Sequence, residues 1–529
     1  MALADFKLED RFALSEGDVA MSGVQALLRV LLDQLRADRR DGLNNAAMVS
    51  GYRGSPLGGI DSLMLGNAQE LADNNIEFLP GLNEDLGATT VWGSQLANRN
   101  FDGKFDGVLG MWYGKAPGVD RSGDAIRHAN VCGVDPKGGV LLVAGDDPAS
   151  KSSTLASESE FALLHFQTPI LYPGTVQEVA DYGRIGYELS RYSGLWVSLK
   201  IVTNVADGYS TIKVGPGRVQ MKRPDFEWDG VPWQHTQQDS LFGPFAVRQE
   251  LEIHEGRMEA TDAFTRLNSL DLVGGATSDA RIGIVAAGKT YYDLREALDR
   301  MGLDEAALKQ RGVRLYKPAV VWPLEAQGVK EFARGLDTIV VVEEKRAFIE
   351  MFMREILYGS SDAPAILGKR DATNAFWFPG HGEMDADLIA RKIRPFLVEC
   401  LGEDAVGPAV RERITIPVSL GSPDDKKQSN RTPNFCSGCP HNRSTWVPEG
   451  SEAGGGIGCH GMASMTPTRN VKGTTQMGGE GVQWIGAAPF VTMDHRFQNI
   501  GDGTFHHSGS LAVRQAVAAG TNVTYKILY

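Results

Sequence analysis

Three of the five cysteines of the 529-residue chain lie close together near its C-terminal end. Cys436 and Cys439 form a Cys-x-x-Cys pair, and Cys459 follows a glycine-rich loop. Two thiolates from one turn can reach the same ion, so this spacing suits an iron–sulfur centre. It also suits zinc with His441 or His460 as the fourth ligand, and a third interpretation has no metal at all.

A second motif that could do chemistry is Gly501-Asp502-Gly503, which lies between a strand-like segment and a helix-like run from Leu511 to Ala519. The strand-like segment Val523 to Tyr529 follows, so the pattern predicts a βαβ unit. At such a turn the glycines allow a diphosphate to approach, the helix N-terminus favours its charge, and Asp502 can hold Mg²⁺. Taken alone, this tripeptide also occurs in ordinary surface turns.

Composition excludes several classes of protein. The formal net charge of −13 argues against a general nucleic-acid or anionic-membrane binder. The first residues have no basic and apolar signal segment, and no apolar run approaches the ~20 residues needed to span a bilayer. Five cysteines, three of them clustered, fit a reducing cytoplasm better than a disulfide framework. We therefore expect a cytoplasmic protein with no nucleic acid and no membrane as partner.

The N-terminal part alternates buried-type strands, glycine loops and amphipathic helices, which predicts a mainly parallel sheet covered on both faces. The loop after the strand-like segment at Ala46 contains Gly51, Gly54, Gly58 and Gly59, and this density of glycine favours close approach of the backbone to a ligand.

Ligands of such sheets lie beyond the carboxyl ends of the strands, where Ser55, Glu84, Lys115 and Asp146 fall. Lys115 and Arg53 are candidates to meet a substrate carboxylate, or they pair with surface acids. Carboxylates in a first helical turn are commonly caps, which makes Asp85 the expected cap of the helix that starts near it.

The predicted class is α/β, with several doubly wound, mainly parallel-sheet domains. The expected divisions are residues 1–215, an irregular connector at 216–280, a further α/β domain at 281–400, a polar linker at 401–431 and a cysteine-containing domain at 432–529. The charged segment Glu343 to Arg346 ends a strand of the third division, and we interpret it as a network of paired charges.

The motifs together resemble one family. Phe-Cys-Ser-Gly-Cys-Pro-His-Asn from Phe435, Gly-Ile-Gly-Cys-His ending at His460, Met-Gly-Gly-Glu-Gly from Met477 and Asn-Ile-Gly-Asp-Gly-Thr from Asn499 are similar to the thiamine-diphosphate module of the indolepyruvate ferredoxin oxidoreductase family. The resemblance is to its long, fused bacterial form and extends to the N-terminal region. It implies that residues 1–215 bind the pyrimidine of the cofactor, that 281–400 is a transketolase C-terminal-like domain, and that 432–529 binds the diphosphate.

The family's Asn-Glu pair matches Asn83-Glu84, and this implies that Glu84 is the catalytic acid beside the aminopyrimidine N1′ of thiamine diphosphate. The resemblance further implies that Asp502 holds Mg²⁺ and that Cys436, Cys439 and Cys459 hold a [4Fe–4S] cluster. The cofactor-binding positions are then Gly54, Ser55, Gly478, Gly479, Gly501, Asp502 and Gly503. Met477 and Glu480 are further, weaker candidates for the walls of the diphosphate or substrate pocket.

The implied reaction is oxidative decarboxylation of an aryl 2-oxoacid to its acyl-coenzyme A, with electrons passed to ferredoxin. In the family an Asn ligand of Mg²⁺ follows about where Tyr529 stands, and a fourth cysteine is expected beyond the three. We therefore expect a split subunit or a truncated form, as a homodimer or as a hetero-oligomer with a subunit that carries the remainder. Two alternatives stay open: a non-oxidative thiamine-dependent decarboxylase or transferase with structural zinc, and an inactive partner or scaffold subunit.

Overall fold

The computed structural model describes residues 7–239, 241–409 and 434–529. The strands, in chain order, are β1 Gly17–Ser22, β2 Ala46–Gly51, β3 Ile76–Phe78, β4 Val108–Lys115, β5 Val140–Asp146, β6 Ile170–Leu171, β7 Val197–Val202, β8 Tyr209–Val214, β9 Glu227–Trp228, β10 Val231–Pro232, β11 Leu272–Gly275, β12 Ile282–Val285, β13 Val313–Lys317, β14 Val320–Trp322, β15 Thr338–Val341, β16 Ala365–Leu367, β17 Ala453–Gly454, β18 Val471–Lys472, β19 Arg496–Gly501 and β20 Val523–Leu528.

The α-helices are α1 Asp10–Ala13, α2 Gly23–Arg40, α3 Ile60–Gly66, α4 Ala68–Asp73, α5 Glu84–Gln95, α6 Ala97–Asn100, α7 Ala116–Arg121, α8 Gly123–Cys132, α9 Glu160–His165, α10 Val176–Ser193, α11 Thr203–Ala206, α12 Pro244–Glu252, α13 Met258–Leu267, α14 Gly288–Arg300, α15 Glu305–Gln310, α16 Ala326–Ala333, α17 Ile349–Leu357, α18 Ala386–Leu401, α19 His441–Ser444, α20 Val482–Ala487, α21 Asp502–Thr504 and α22 Ser510–Ala518. In the part of the chain that the structure describes, no helix combines the length and the apolar character needed to cross a bilayer.

The chain divides into two compact units, Met1–Arg413 and Ile414–Tyr529. The first unit contains a seven-stranded sheet in the order β14-β6-β7-β5-β4-β2-β3. All its neighbouring strands run parallel except β14, which is antiparallel to β6. Every residue of β5 and β7 is buried, which is the pattern of central strands in a sheet covered on both faces.

A five-stranded sheet in the order β11-β13-β12-β15-β16 belongs to the same unit. It is parallel apart from the edge strand β11. The chain passes from β13 of this sheet directly to β14 of the seven-stranded sheet, and one apolar core cluster includes buried residues from both regions, such as Leu142 and Ile339. The expected α/β class with mainly parallel sheets is confirmed.

Helix α10 shows how local sequence sets the bounds of an element. The Thr175 side chain accepts the Glu178 N–H at 3.1 Å at the start, and Gly194 ends the helix with a left-handed φ of 83°. Between these caps Val179, Ala180 and Gly183 recur at helical spacing and are buried. The helix packs against α2 and covers one face of the seven-stranded sheet.

The second unit contains a parallel four-stranded sheet in the order β18-β17-β19-β20. Strands β19 and β20 pair in parallel, and the helical segment from Asp502 to Ala518 connects them with a wider turn at Phe505–Gly509. The βαβ unit predicted around the Gly-Asp-Gly turn is therefore present.

Residues 216–280, expected to be an irregular connector, contain more regular structure than the sequence indicated. Helices α12 and α13 lie there, joined by a wider helical turn at Ile253–Arg257. The buried guanidinium of Arg257 donates to the carboxylate of Glu252 at 2.8 Å and to the carbonyl of Asn130 at 2.9 Å, which fastens the segment to α8. Most of the expected linker at 401–431 lies outside the described residues, which resume at residue 434.

Candidate functional site

Four residues predicted to lie at one sheet edge do so. Strands β3, β2, β4 and β5 are consecutive and parallel, so their carboxyl ends meet at the same edge. Ser55 follows β2, Glu84 begins α5 after β3, and Lys115 and Asp146 are the last residues of β4 and β5. This edge is where ligands of open parallel sheets bind.

The position of Glu84 depends on how α5 starts. Asn83 is the N-cap, with extended backbone and a side-chain oxygen that accepts the Leu86 N–H at 3.0 Å. The expectation that Asp85 caps this helix is wrong: Asp85 is already inside the first turn, and its carboxylate accepts from Arg121 Nε at 3.1 Å. An N-cap side chain must precede the helix to reach its free N–H groups, and only Asn83 has that place.

Glu84 is only 6% exposed, and its side chain leaves room only for glycine at the neighbouring position in α7. A Cβ atom at Gly118 in α7 would lie 2.6 Å from Cγ of Glu84. The Glu84 carbonyl accepts a 2.9 Å hydrogen bond from the Trp112 indole in the buried strand β4. The sheet, the capped helix and Gly118 together fix a carboxyl group in a buried position at the ligand edge.

Packing against β4 requires glycine at the end of β2 and in the loop that follows it. A Cβ at Gly51 would lie 2.1 Å from the Tyr113 carbonyl, and one at Gly54 would lie 2.9 Å from Cδ of Lys115. These two glycines allow the loop to pack against β4, whereas the surroundings of Gly58 leave ordinary room for a side chain. Tight packing thus accounts for two of the four glycines, and close approach of a ligand stays a prediction for the loop.

The sequence did not indicate what the loop after β5 does at this edge. Ser152 donates a hydrogen bond from its hydroxyl to the Ser55 hydroxyl at 2.6 Å. The carboxylate of Asp146 is fully buried and accepts from the Ser159 N–H and hydroxyl at 2.9 and 2.7 Å. Asp146 therefore has a structural role here, and Ser152 is a residue at this edge that sequence analysis did not single out.

A buried lysine also escaped sequence analysis. Lys200 lies in β7, forms an ion pair with Glu160, and has its Nζ atom 3.6 Å from Asp146. Burial opposes its charge, but Glu160, Tyr172 and Asp146 raise the pKa of Lys200 above its usual value. The signal was present, because Lys200 is the charged residue inside the mostly apolar strand Val197–Val202.

In the second unit, β19 ends at Gly501 and a helix begins at Asp502. Asp502 and Gly503 are exposed, and a Cβ at Gly503 would meet no atom within 4 Å. Gly501 lies beside the buried ring of His460, which a Cβ there would approach to 3.7 Å. Free N–H groups and a carboxylate at a helix start suit an anion with its cation, which fits a magnesium-bound diphosphate.

The loop from Met477 to Glu480 packs beside this helix. Gly478 has a φ of +92°, and a Cβ there would lie 2.0 Å from the Ser508 hydroxyl. The buried Glu480 turns back to accept the Gly478 N–H at 2.7 Å, and burial raises the pKa of its carboxyl group. Gly479 is tightly placed against the side chain of Gln476. The structure thus brings Gly478 and Glu480 to the helical segment that follows Asp502.

The three clustered cysteines are free thiols: Cys436 and Cys459 are exposed and Cys439 is half-buried. The Cys439 N–H bonds to the Cys436 carbonyl at 3.0 Å, so the Cys-x-x-Cys segment forms a turn. Across residues 7–239, 241–409 and 434–529, no group of three or more His, Cys, Asp or Glu side chains is arranged to hold a metal ion. The described geometry does not assemble a ligand set for a cluster or for zinc.

Comparison with known proteins supplies the family context. Residues 273–414 match the family model described as the indolepyruvate oxidoreductase domain. The "Indolepyruvate oxidoreductase subunit IorA" of Archaeoglobus fulgidus is 25% identical over 471 residues, covering 87% of this chain and 68% of that protein. The protein of the same name from Pyrococcus abyssi is 22% identical over 551 residues, covering 96% of this chain and 74% of its own length.

A solved structure shows the same fold. The 2-oxoglutarate:ferredoxin oxidoreductase from Magnetococcus marinus, determined with 2-oxoglutarate, coenzyme A and succinyl-CoA bound, superimposes with a TM-score of 0.54 at 14% identity. The match covers 72% of this chain and 65% of that one. These matches confirm the resemblance to the indolepyruvate oxidoreductase family, whereas the likeness to its long, fused bacterial form stays a prediction.

Proposed function

We propose that this chain, a relative of the indolepyruvate oxidoreductases over most of its length, is the subunit of a 2-oxoacid:ferredoxin oxidoreductase that binds thiamine diphosphate. The observation that carries the proposal is the buried carboxyl group of Glu84 at the ligand edge of the seven-stranded sheet. The names of the relatives from Archaeoglobus and Pyrococcus support an aryl 2-oxoacid such as indolepyruvate as the substrate. The ligands of the Magnetococcus enzyme support coenzyme A as the acyl acceptor.

Glu84 is the proposed acid beside the cofactor's aminopyrimidine. Bound thiamine diphosphate supplies a nucleophilic carbon and an electron sink for decarboxylation. Glu84 is fixed by the Asn83 cap and by contact with Gly118, and its burial keeps water away from the carboxyl group. A carboxyl group held in this way can donate a proton to a ring nitrogen without first reorganising.

The Gly501-Asp502-Gly503 turn is the proposed anchor for the diphosphate and Mg²⁺. Asp502 offers a hard oxygen ligand, and the first N–H groups of the helix offer donors to phosphate oxygens. Gly478 and Gly479 are proposed to line the same pocket, because Gly478 packs against Ser508 of that helical segment. These residues hold and orient the cofactor and take no part in proton transfer.

Cys436, Cys439 and Cys459 are proposed ligands of a [4Fe–4S] cluster, on the grounds of their spacing and of the family resemblance. Since the described residues do not assemble a metal site, we assign no electron-transfer step to an individual cysteine. Ferredoxin is the proposed final acceptor, and the subunit designation of the relatives supports assembly with a second subunit.

The proposal is tested by assaying the purified chain with its partner subunit for indole-3-pyruvate-dependent reduction of ferredoxin. We expect reduction to require thiamine diphosphate, Mg²⁺ and coenzyme A together. Release of CO₂ and an aldehyde without any electron acceptor would instead identify a non-oxidative decarboxylase. No turnover of any 2-oxoacid by the assembled, cofactor-loaded protein would reject the enzyme function.

A further inference from the structure

The Ser152–Ser55 hydrogen bond joins two loops at the ligand edge. Ser55 belongs to the glycine-rich loop after β2, and Ser152 belongs to the loop after β5. The Ser152 hydroxyl donates and the Ser55 oxygen accepts, at 2.6 Å. A hydroxyl group has one proton, so the proton of Ser55 is left to donate to a different acceptor.

The backbone around Ser152 is fixed by a buried carboxylate. Asp147, only 1% exposed, accepts the Ser152 N–H at 2.8 Å and the Lys151 N–H at 3.0 Å. Burial alone would raise the pKa of Asp147, but these hydrogen bonds lower it below its usual value. The carboxylate therefore stays ionised and holds the turn at Ser152 in one conformation.

The same loop is also held from the five-stranded sheet. The Lys345 ammonium donates to the Pro148 carbonyl, and the Arg346 guanidinium pairs with the carboxylate of Glu158. The Lys151 ammonium lies 2.8 Å from the carboxylate of Glu383. Of the four charges expected to form a pairing network after β15, Lys345 and Arg346 hold the loop that carries Ser152, and Arg346 does so through an ion pair. The Ser152 hydroxyl is therefore a preorganised group.

We propose that Ser152 is a positioning residue for the 2-oxoacid: by donating to Ser55, it directs the Ser55 hydroxyl proton toward an oxygen of the substrate head group. The half-buried Lys115, whose side chain packs against Gly54, and the exposed Arg53 provide positive charge at this edge for the substrate carboxylate. The inference rests on the proposed function, since it names a residue that orients the substrate of that reaction.

The test compares Ser152→Ala and Ser152→Thr in the assembled holoenzyme, with Thr154→Val as the matched control. Thr154 lies exposed in the same loop, and its change to Val removes a hydroxyl group while keeping the side-chain shape. Without the Ser152 donor, the Ser55 hydroxyl can rotate away from the substrate. The weakened hydrogen bond to an anionic ligand is expected to raise the KM for indole-3-pyruvate about tenfold in Ser152→Ala, with kcat and the Kd for thiamine diphosphate nearly unchanged.

A second readout does not depend on turnover. Calorimetric binding of indole-3-lactate, which keeps the carboxylate and aryl group, should weaken by about the same factor in Ser152→Ala and recover in Ser152→Thr. An unchanged KM in Ser152→Ala, or equal impairment of the Ala and Thr variants, would overturn the role of Ser152 while leaving the proposed function in place. A wild-type holoenzyme that neither turns over indole-3-pyruvate nor binds indole-3-lactate would overturn both.

Discussion

The two compact units place their candidate carboxylates in opposite surroundings. Glu84 in the first unit is buried, and the apolar core around its sheet contains residues from most of the strands and helices of that unit. Asp502 in the second unit is exposed, and the buried apolar cluster there consists of Ala453, Ala463 and Val471. A large apolar core holds a side chain in one conformation in the unbound protein. With a small core, ligand binding contributes a larger share of the stabilisation.

Both units contain buried polar atoms without a hydrogen-bond partner among the described residues, such as Oδ1 of Asp262 in the first unit. In the second unit, Nε2 of His460 and both amide atoms of Asn499 are buried and have no hydrogen-bond partner among the described residues. Burial lowers the pKa of His460 to about 4, so its ring is neutral at pH 7. A polar group buried without a partner costs stability, so a ligand that supplied partners to these atoms would stabilise the second unit.

The largest expected effect is on chemistry in the first unit. Glu84→Gln keeps the shape of the side chain but removes the acidic proton, so we expect kcat with indole-3-pyruvate to fall by about 10³-fold. Thiamine diphosphate should still bind, because an amide can occupy the same space. Asp85→Asn is the control, since it changes only the neighbouring, partly exposed ion pair with Arg121. Activity within tenfold of wild type in Glu84→Gln would remove this residue from the mechanism.

In the second unit the expected effect is on binding. Asp502→Asn should weaken Mg²⁺-dependent binding of thiamine diphosphate by about 10²-fold, because a hard cation loses a charged oxygen ligand. Asp494→Asn removes another exposed carboxylate of the same unit and should bind as wild type does. Equal affinity of the two variants in calorimetry would contradict the role of the Gly-Asp-Gly turn.

A third prediction concerns the cluster that we propose the cysteines hold in the assembled enzyme. Cys459→Ser should lower the iron and acid-labile sulfide content to below about a quarter of the wild-type value, since serine is a poor ligand for such clusters. Cys400→Ser removes an exposed thiol from α18 and should leave both contents unchanged. Zinc in place of iron in the wild-type protein would favour the structural-zinc interpretation.

The titration of Asp262 in the first unit is expected to have a smaller effect, on the free energy of unfolding. Burial, with Glu259, Glu325 and Asp271 nearby, raises the pKa of Asp262 to about 7, and its Oδ1 atom is buried without a hydrogen-bond partner. A raised folded-state pKa means that wild-type stability falls as pH rises from about 4 to 7 and then stays level. Asp262→Asn should therefore stabilise the protein by about 1–2 kcal/mol more at pH 8 than at pH 5 in urea denaturation. A pH-independent difference would show that Asp262 does not titrate in this range.

The smallest expected effect tests the cap that positions Glu84. Asn83→Ala should cost about 1 kcal/mol of helix stability, because the Leu86 N–H loses its acceptor. Hydrogen exchange of the first-turn amides of α5 should accelerate, whereas Asp85→Ala should change it little. Faster exchange in Asp85→Ala than in Asn83→Ala would reverse the assignment of the cap.

Short sequence patterns correctly predicted the structural elements that are determined by residues close together in the chain. The βαβ unit around Asp502 and the shared edge of Ser55, Glu84 and Lys115 followed from strand, glycine and helix patterns that short segments determine. The cap at Asn83 did not follow, because Asn83 and Asp85 are both good capping residues and the first helical residue decides between them.

Contacts between distant segments could not be predicted in the same way. The Ser152–Ser55 bond and the ties from Lys345 and Arg346 join loops that only the sheet order brings together. Helices α12 and α13 were also missed, because prolines and aromatic residues before them dominate the composition of that segment. Where the cysteine ligands come together stays a prediction, since spacing along the chain does not fix distances in space.

The most direct test of the central claim is calorimetric titration of the purified chain with thiamine diphosphate, in Mg²⁺ and again in EDTA. The account predicts binding in Mg²⁺ that is lost in EDTA, because Asp502 contributes through the cation and the helix N-terminus alone holds the diphosphate weakly. Binding of equal strength in both conditions, or no binding in either, would contradict the proposal that this chain carries a magnesium-dependent thiamine-diphosphate site.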